Sequence, residues 1–128
     1  MTTEDEMRSL IERYITAYNA FDVDGMLSAI HSDIDFQNIS GGAITATASG
    51  IDEFRSLAEQ SRSYFSSRRQ TITNLAVDGQ RASAEVEFEA TLAVDLPDGP
   101  RAGELLRLTG RSEYEFRDGK MIRITDFS

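Results

Sequence analysis

The 128-residue sequence contains no cysteine, a single histidine, and no apolar run approaching the roughly 20 residues that a membrane span needs. The missing thiols exclude disulfides, thiolate metal sites and cysteine nucleophiles together. With one histidine besides, no metal site is expected. Basic residues are scarce as well, 13 Lys and Arg against 22 Asp and Glu, for a formal charge of −9. Such a surface repels phosphate backbones and anionic lipid, so neither nucleic acid nor a membrane is an expected partner. The densest basic clusters, Arg68-Arg69 and Arg101 to Arg111, are interrupted by acidic or apolar residues and do not read as a binding stripe. The N-terminal MTTEDEMRSL is acidic and lacks an apolar core, unlike a signal peptide. The expectation is a cytoplasmic protein.

What is present fits one domain over residues 1–128, with 40% hydrophobic and 27% charged residues. Met7, Leu10, Ile11, Tyr14, Ile15 and Tyr18 recur at steps of three and four, one buried helical stripe. Thr2 or Thr3 caps it, with Glu4, Asp5 and Glu6 in the first turn. Asp22 is the N-cap of a short second helix carrying Met26, Leu27 and Ile30 inward, ended by His31-Ser32-Asp33. Ile34, Phe36 and Asn38 then alternate with polar neighbours as a first strand. A glycine- and serine-rich stretch, residues 40–50, surrounds a short strand at Ala43 to Thr47. A third helix from about Ile51 buries Ile51, Phe54, Leu57, Ala58, Tyr64 and Phe65.

The period then changes from 3.6 to 2. Thr71 to Val77 meets the hairpin turn Asp78-Gly79, and Ala82 to Val94 alternates apolar residues with Glu85, Glu87 and Glu89. After a turn at Leu96 to Pro100, a strand from about Ala102 to Arg117 turns at Asp118-Gly119 into Met121 to Phe127. Helices followed by a meander of long strands indicate an α+β domain with a curved antiparallel sheet.

This order of elements resembles the nuclear-transport-factor-2-like superfamily, in its SnoaL-like and ketosteroid-isomerase-like branch. The resemblance rests on Arg13-Tyr14-Ile15, Phe21-Asp22-Val23-Asp24, Ser32-Asp33-Ile34-Asp35-Phe36, Gly50-Ile51-Asp52-Glu53-Phe54 and Asp118-Gly119-Lys120-Met121-Ile122, which together span nearly the whole chain. It implies a cone: three N-terminal helices packed on a curved, mainly antiparallel sheet, a cystatin-like α+β roll. The cone encloses an apolar pocket, and the chain is expected to form a homodimer through the sheet. Because this fold hosts isomerases, dehydratases, hydrolases, cyclases and non-catalytic domains, it does not name a reaction.

Steroid isomerases of the fold pair a carboxylate base with an oxyanion hole of a tyrosine and a protonated aspartic acid. Tyr14 is similar in position to the tyrosine, whereas the base falls on Asn38 and the acid on Ser112, neither of which performs those roles. The dehydratase histidine falls near Gln70. The hydrolase pattern needs an arginine on the strand Ala82 to Val94, which has none. Asp126 resembles the final-strand aspartate of the hydrolases and cyclases. Independently, Ile122, Ile124 and Asp126 share a strand face, so a pocket-facing Asp126 would have a raised pKa; a solvated strand end is the other reading.

Tyr14 and Tyr18 lie one turn apart on the buried stripe, as cavity groups or core packing. Asn38 shares the parity of Ile34 and Phe36, facing the pocket or capping the strand. His31 is a helix C-cap or a pocket group. Glu85, Glu87 and Glu89 form a solvated or dimer-facing surface, which Arg107, Arg111, Glu113 and Glu115 could join across an interface. The reading is a domain binding a small apolar ring compound, with Asp126, Tyr14 and Asn38 as the catalytic set and Tyr18, His31, Phe36, Phe54 and Phe88 as ligand-binding residues. The chemistry is a cofactor-free isomerisation, cyclisation or hydration and dehydration; the alternative is a non-catalytic ligand-binding or dimerisation domain.

Overall fold

The computed structural model describes residues 1–97 and 99–128. Three helices, α1 (Glu4–Asn19), α2 (Val23–Leu27) and α3 (Ile51–Arg62), pack on a curved, open sheet. Its strands are β1 (Ile30–Ser40), β2 (Ala43–Ser49), β3 (Phe65–Asp78), β4 (Arg81–Leu92), β5 (Leu105–Arg117) and β6 (Lys120–Phe127). The strand order is β2-β1-β6-β5-β4-β3, antiparallel throughout except for β1 against β6. Helix α1 lies along β3 and α2, while α3 crosses β1 and β2, so the helices close the hollow of the sheet. This is the cone of three helices on a curved sheet that the resemblance implies. Among the described residues no helix is long and apolar enough to cross a membrane.

Local chemistry sets the helix starts. Of the two candidate threonines, Thr3 caps α1: its hydroxyl accepts from the Glu6 amide and Glu6 Oε1 accepts from the Thr3 amide, a reciprocal capping box. Thr2 instead exchanges hydrogen bonds with Gln80 and accepts from the Gly119 amide, tying the chain start to two hairpin turns. Asp22 caps α2 through the Gly25 amide. Gly50, at φ 86°, takes a conformation other residues resist and turns β2 into α3.

Several boundaries differ from the sequence reading. Helix α2 ends at Leu27, so Ile30 and His31 belong to β1. Ile30 pairs with Met121, and the Met121 amide donates to Ala29 O. Ile30 is buried in either conformation, which is why helical spacing accommodated it. Helix α3 stops at Arg62; Tyr64 lies beyond it and Phe65 opens β3 opposite Leu92. β3 therefore begins six residues before Thr71, with register shifts at Phe65/Ser67 and Ile72/Asn74. β2 runs on to Ser49, β4 ends at Leu92, and β5 starts at Leu105 rather than Ala102. Of the turn expected at Leu96 to Pro100, Asp98 lies outside the described residues.

The two sheet faces differ in kind. The inner one carries the core, with Ile34, Met121 and Ile124 almost completely buried. The outer one carries a lattice of charges paired within this chain: Arg107 with Glu89, Arg81 with Glu115, and Arg123 with both Asp35 and Glu115. The opposite-sign alternation read in the sequence is thus used between neighbouring strands.

Candidate functional site

Small residues hollow out the inner face. Strand register aligns Ala46, Asn38, Asp126, Ser112 and Ala84 in one row across β2, β1, β6, β5 and β4. Gly110 lies on β5 two residues before Ser112 and also lines the cavity. A Cβ there would collide with the Phe127 carbonyl, so the close approach of the strand end to β5 requires glycine. Under the helices this leaves a cavity of about 410 Å³, inside the range of roughly 300–1,000 Å³ usual for small-molecule sites. Its apolar wall comes mainly from Phe36, Phe54, Leu57, Phe65, Val86 and Phe88. Phe36 meets Phe54 edge to face at 5.6 Å, and Phe65 meets Phe88 likewise at 5.7 Å.

Asp126 sits in that wall, its row shared with Ser112 and Asn38. Protein surrounds its carboxyl on most sides, and this burial pushes the pKa up to about 6; the Ser112 hydroxyl, donating to Oδ1 at 2.7 Å, holds the rise in check. Ser112, aligned by resemblance with an oxyanion donor, thus supports the acid on the adjacent strand.

Tyr14, on the inner stripe of α1, reaches the cavity from the opposite layer. Its hydroxyl has no hydrogen-bond partner among the described residues. Burial raises its pKa well above the ordinary value, and the charge of Asp126 adds to the rise, so the phenol stays protonated. Burial also raises Tyr18, while the cation of Arg68 pulls it back. Both tyrosines lie within electrostatic reach of Asp126 and of Arg68. Asn38 lines the cavity too, but its Nδ2 donates to Thr45 Oγ1 at 2.8 Å across the β1–β2 pair. One half of the amide is thus structural.

Two assignments change. His31 is not among the cavity-lining residues. It lies in β1, where Nδ1 accepts from the Asp33 amide at 2.9 Å and Nε2 stands 3.6 Å from the Asp118 carboxylate. It is neither a helix cap nor a pocket group, because the helix it was to end stops four residues earlier. Arg68, read as half of an uninformative basic pair, is 5% exposed and lines the cavity, whereas Arg69 points outward. The signal was available: Arg68, Gln70 and Ile72 alternate in step and share the inner face of β3. With that strand begun at Thr71, Arg68 fell in a connection.

Arg68 and Asn19 stitch β3 to the end of α1. Arg68 Nε donates to Tyr18 O at 2.9 Å, and the Asn19 side chain exchanges hydrogen bonds with the Gln70 backbone at 2.7 and 3.1 Å. The last turn of α1 has no basic residue of its own, so Arg68 complements the helix dipole from outside. The guanidinium stacks over Tyr18 at 3.7 Å and Phe21 at 4.6 Å.

A family model described as a SnoaL-like domain matches residues 11–124. A search of curated proteins returns no match. Among solved structures, a protein from Silicibacter sp. TM1040 provisionally assigned as a polyketide cyclase is 26% identical, over 94% of this chain and 86% of that one, with a TM-score of 0.74. An epoxide hydrolase from M. tuberculosis is 17% identical over 96% and 82%, with a TM-score of 0.76. TerC, co-crystallised with polyporic acid, is 18% identical over 94% and 89%, with a TM-score of 0.77.

Proposed function

Because the chain belongs to the SnoaL-like domain family, we propose that its cavity binds a small, largely apolar ring compound and moves a proton on it without a cofactor. The observation that carries this reading is Asp126: a carboxyl inside an aromatic-walled cavity, with its pKa raised by burial to about 6. A group poised near neutrality serves as either acid or base. In the direction of abstraction, the Asp126 carboxylate takes a proton from a carbon next to a carbonyl. The electron pair moves onto the carbonyl oxygen, and the protonated Tyr14 hydroxyl donates a hydrogen bond to the resulting enolate. Return of the same proton to another carbon completes an isomerisation; attack by the enolate on a second carbonyl of the substrate completes a cyclisation. Protonation of a leaving hydroxyl by the same acid gives dehydration. Tyr18 and the free half of the Asn38 amide orient the substrate, and Phe36, Phe54 and Phe88 hold its ring.

Support comes from relatives of the same fold, one named a polyketide cyclase and one an epoxide hydrolase, and from TerC, crystallised with a small organic acid. A thermal-shift screen of polycyclic and unsaturated carbonyl compounds tests the reading, with Asp126→Asn and Tyr14→Phe measured in any turnover found. Ligands that bind both variants and the parent alike, with no turnover in any, would leave a binding domain. One observation favours that second reading: Asn38 stands where the isomerases keep their base, and its Nδ2 is engaged by Thr45. The proposal extends to a cytoplasmic homodimer joined through the sheet's outer face, which light scattering and cell fractionation test.

A further inference from the structure

Arg68 is held more firmly than its neighbours require, and one part of it is left over. Nε is used by Tyr18 O, and the guanidinium lies over the rings of Tyr18 and Phe21. These contacts account for a helix-capping role. They do not account for Nη2, which is buried and has no hydrogen-bond partner among the described residues. Nor does any described carboxylate come within ion-pair distance of this guanidinium, although the outer face of the same sheet pairs arginine after arginine. A buried cation without a counter-charge is costly, and a buried donor without an acceptor adds to that cost. The backbone at Phe21 has a positive φ of 58°, strained for an aromatic residue, in the segment that lays its ring on Arg68. The fold therefore maintains this arrangement at some expense.

Asp126 does not supply the missing charge. β5 and β4 separate its strand from β3, and its carboxyl oxygens lie beyond ion-pair distance of the guanidinium. We infer that Arg68 forms a carboxylate-binding subsite of the cavity, so that the ligand is an aromatic or alicyclic ring bearing a carboxylate. The planar guanidinium matches a carboxylate in shape, and the surrounding rings exclude the water that would weaken the pair. The apolar body then lies along Phe65 and Phe88 toward Tyr14. This names the ligand class of the cavity proposed above and rests on that reading only for the site, not for the chemistry.

The test is isothermal titration of 2-naphthoate and its neutral counterpart 2-naphthamide at pH 7.5. Wild-type protein should bind naphthoate at least about tenfold more tightly than the amide. Arg68→Gln, which keeps a donor for Tyr18 O, should bring the two within about threefold, and Arg69→Gln should leave the preference intact. Equal binding by the wild type, or a preference that survives Arg68→Gln, overturns the assignment. A variant-free readout stands beside it should Arg68→Gln not fold. In wild-type protein with 15N-labelled arginine, naphthoate should shift a slowly exchanging guanidinium signal that naphthamide leaves in place, and no such shift counts against the subsite. Asp126→Asn separates the two claims: it should retain the naphthoate preference, whereas the catalytic reading stands or falls on turnover.

Discussion

The two faces of the sheet use charge in opposite ways. Outside, arginine and glutamate alternate, pair with one another and keep their contact with water, as with Arg107 and Glu89 at 3.3 Å. Inside, one acid and one base, Asp126 and Arg68, stand on different strands without an ionic partner among the described residues, surrounded by aromatic rings. The exposed pairs gain little, since screening and side-chain entropy offset the attraction. The isolated inner charges are costly to keep, and their cost is informative: each is held by a specific neighbour, Ser112 for one and the end of α1 for the other. Charge that is cheap marks surface, and charge that is expensive marks the site.

That contrast is open to direct attack, beginning with the largest effect. In a proton-transfer assay, Asp126→Asn should lower kcat by about 100-fold or more, the usual scale for a lost acid or base. A loss under threefold would put Asp126 outside the chemistry. Tyr14→Phe removes a hydroxyl with no partner among the described residues, so it should cost about ten- to 100-fold in kcat while moving Tm little; a large fall in Tm would make the hydroxyl structural.

Stability reads the same carboxyl independently of any substrate. Its pKa is raised on folding, from 3.8 to about 6, so the protonated form suits the folded state. The stabilising contribution is complete below pH 3.8 and is lost as pH rises through 6. Asp126→Asn, free of that charge, should therefore be more stable than the parent by about 3 kcal/mol at pH 8, and the gain should vanish toward pH 4 in thermal or urea melts. A gain independent of pH would contradict the assignment. The smallest effect belongs to the outer face. Arg107→Ala should change stability by less than about 0.5 kcal/mol and leave ligand binding untouched; a larger change would erase the distinction between the faces.

The sequence made some of this legible and hid the rest for identifiable reasons. Thr3, Asp22 and the Asp-Gly turns at residues 78–79 and 118–119 act through local chemistry, so the starts of α1 and α2 and both hairpins could be read directly. Asp126 could be placed because it keeps parity with Ile124, two residues before it; further back a register shift puts Met121 rather than Ile122 in the core. His31 and Arg68 were misread for the opposite reason. Ile30 satisfies burial as helix or as strand, so nothing local showed that β1 begins there. Arg68 keeps step with Gln70 and Ile72, but a strand taken to start at Thr71 leaves it in a connection, where parity carries no meaning. Neither the pairing of Ser112 with Asp126 nor the stacking of Arg68 on Phe21 has a sequence-local signal, since each joins elements distant in the chain.

The most direct test of the cavity's chemistry is a carbon-13 NMR titration of protein labelled at the aspartate carboxyl carbons, from pH 3 to 8. The structure predicts one aspartate titrating near 6, its signal lost in Asp126→Asn and displaced in Ser112→Ala. If that signal instead titrates in the ordinary carboxylate range near 4, Asp126 is a solvated strand end and the cavity has no acid of its own.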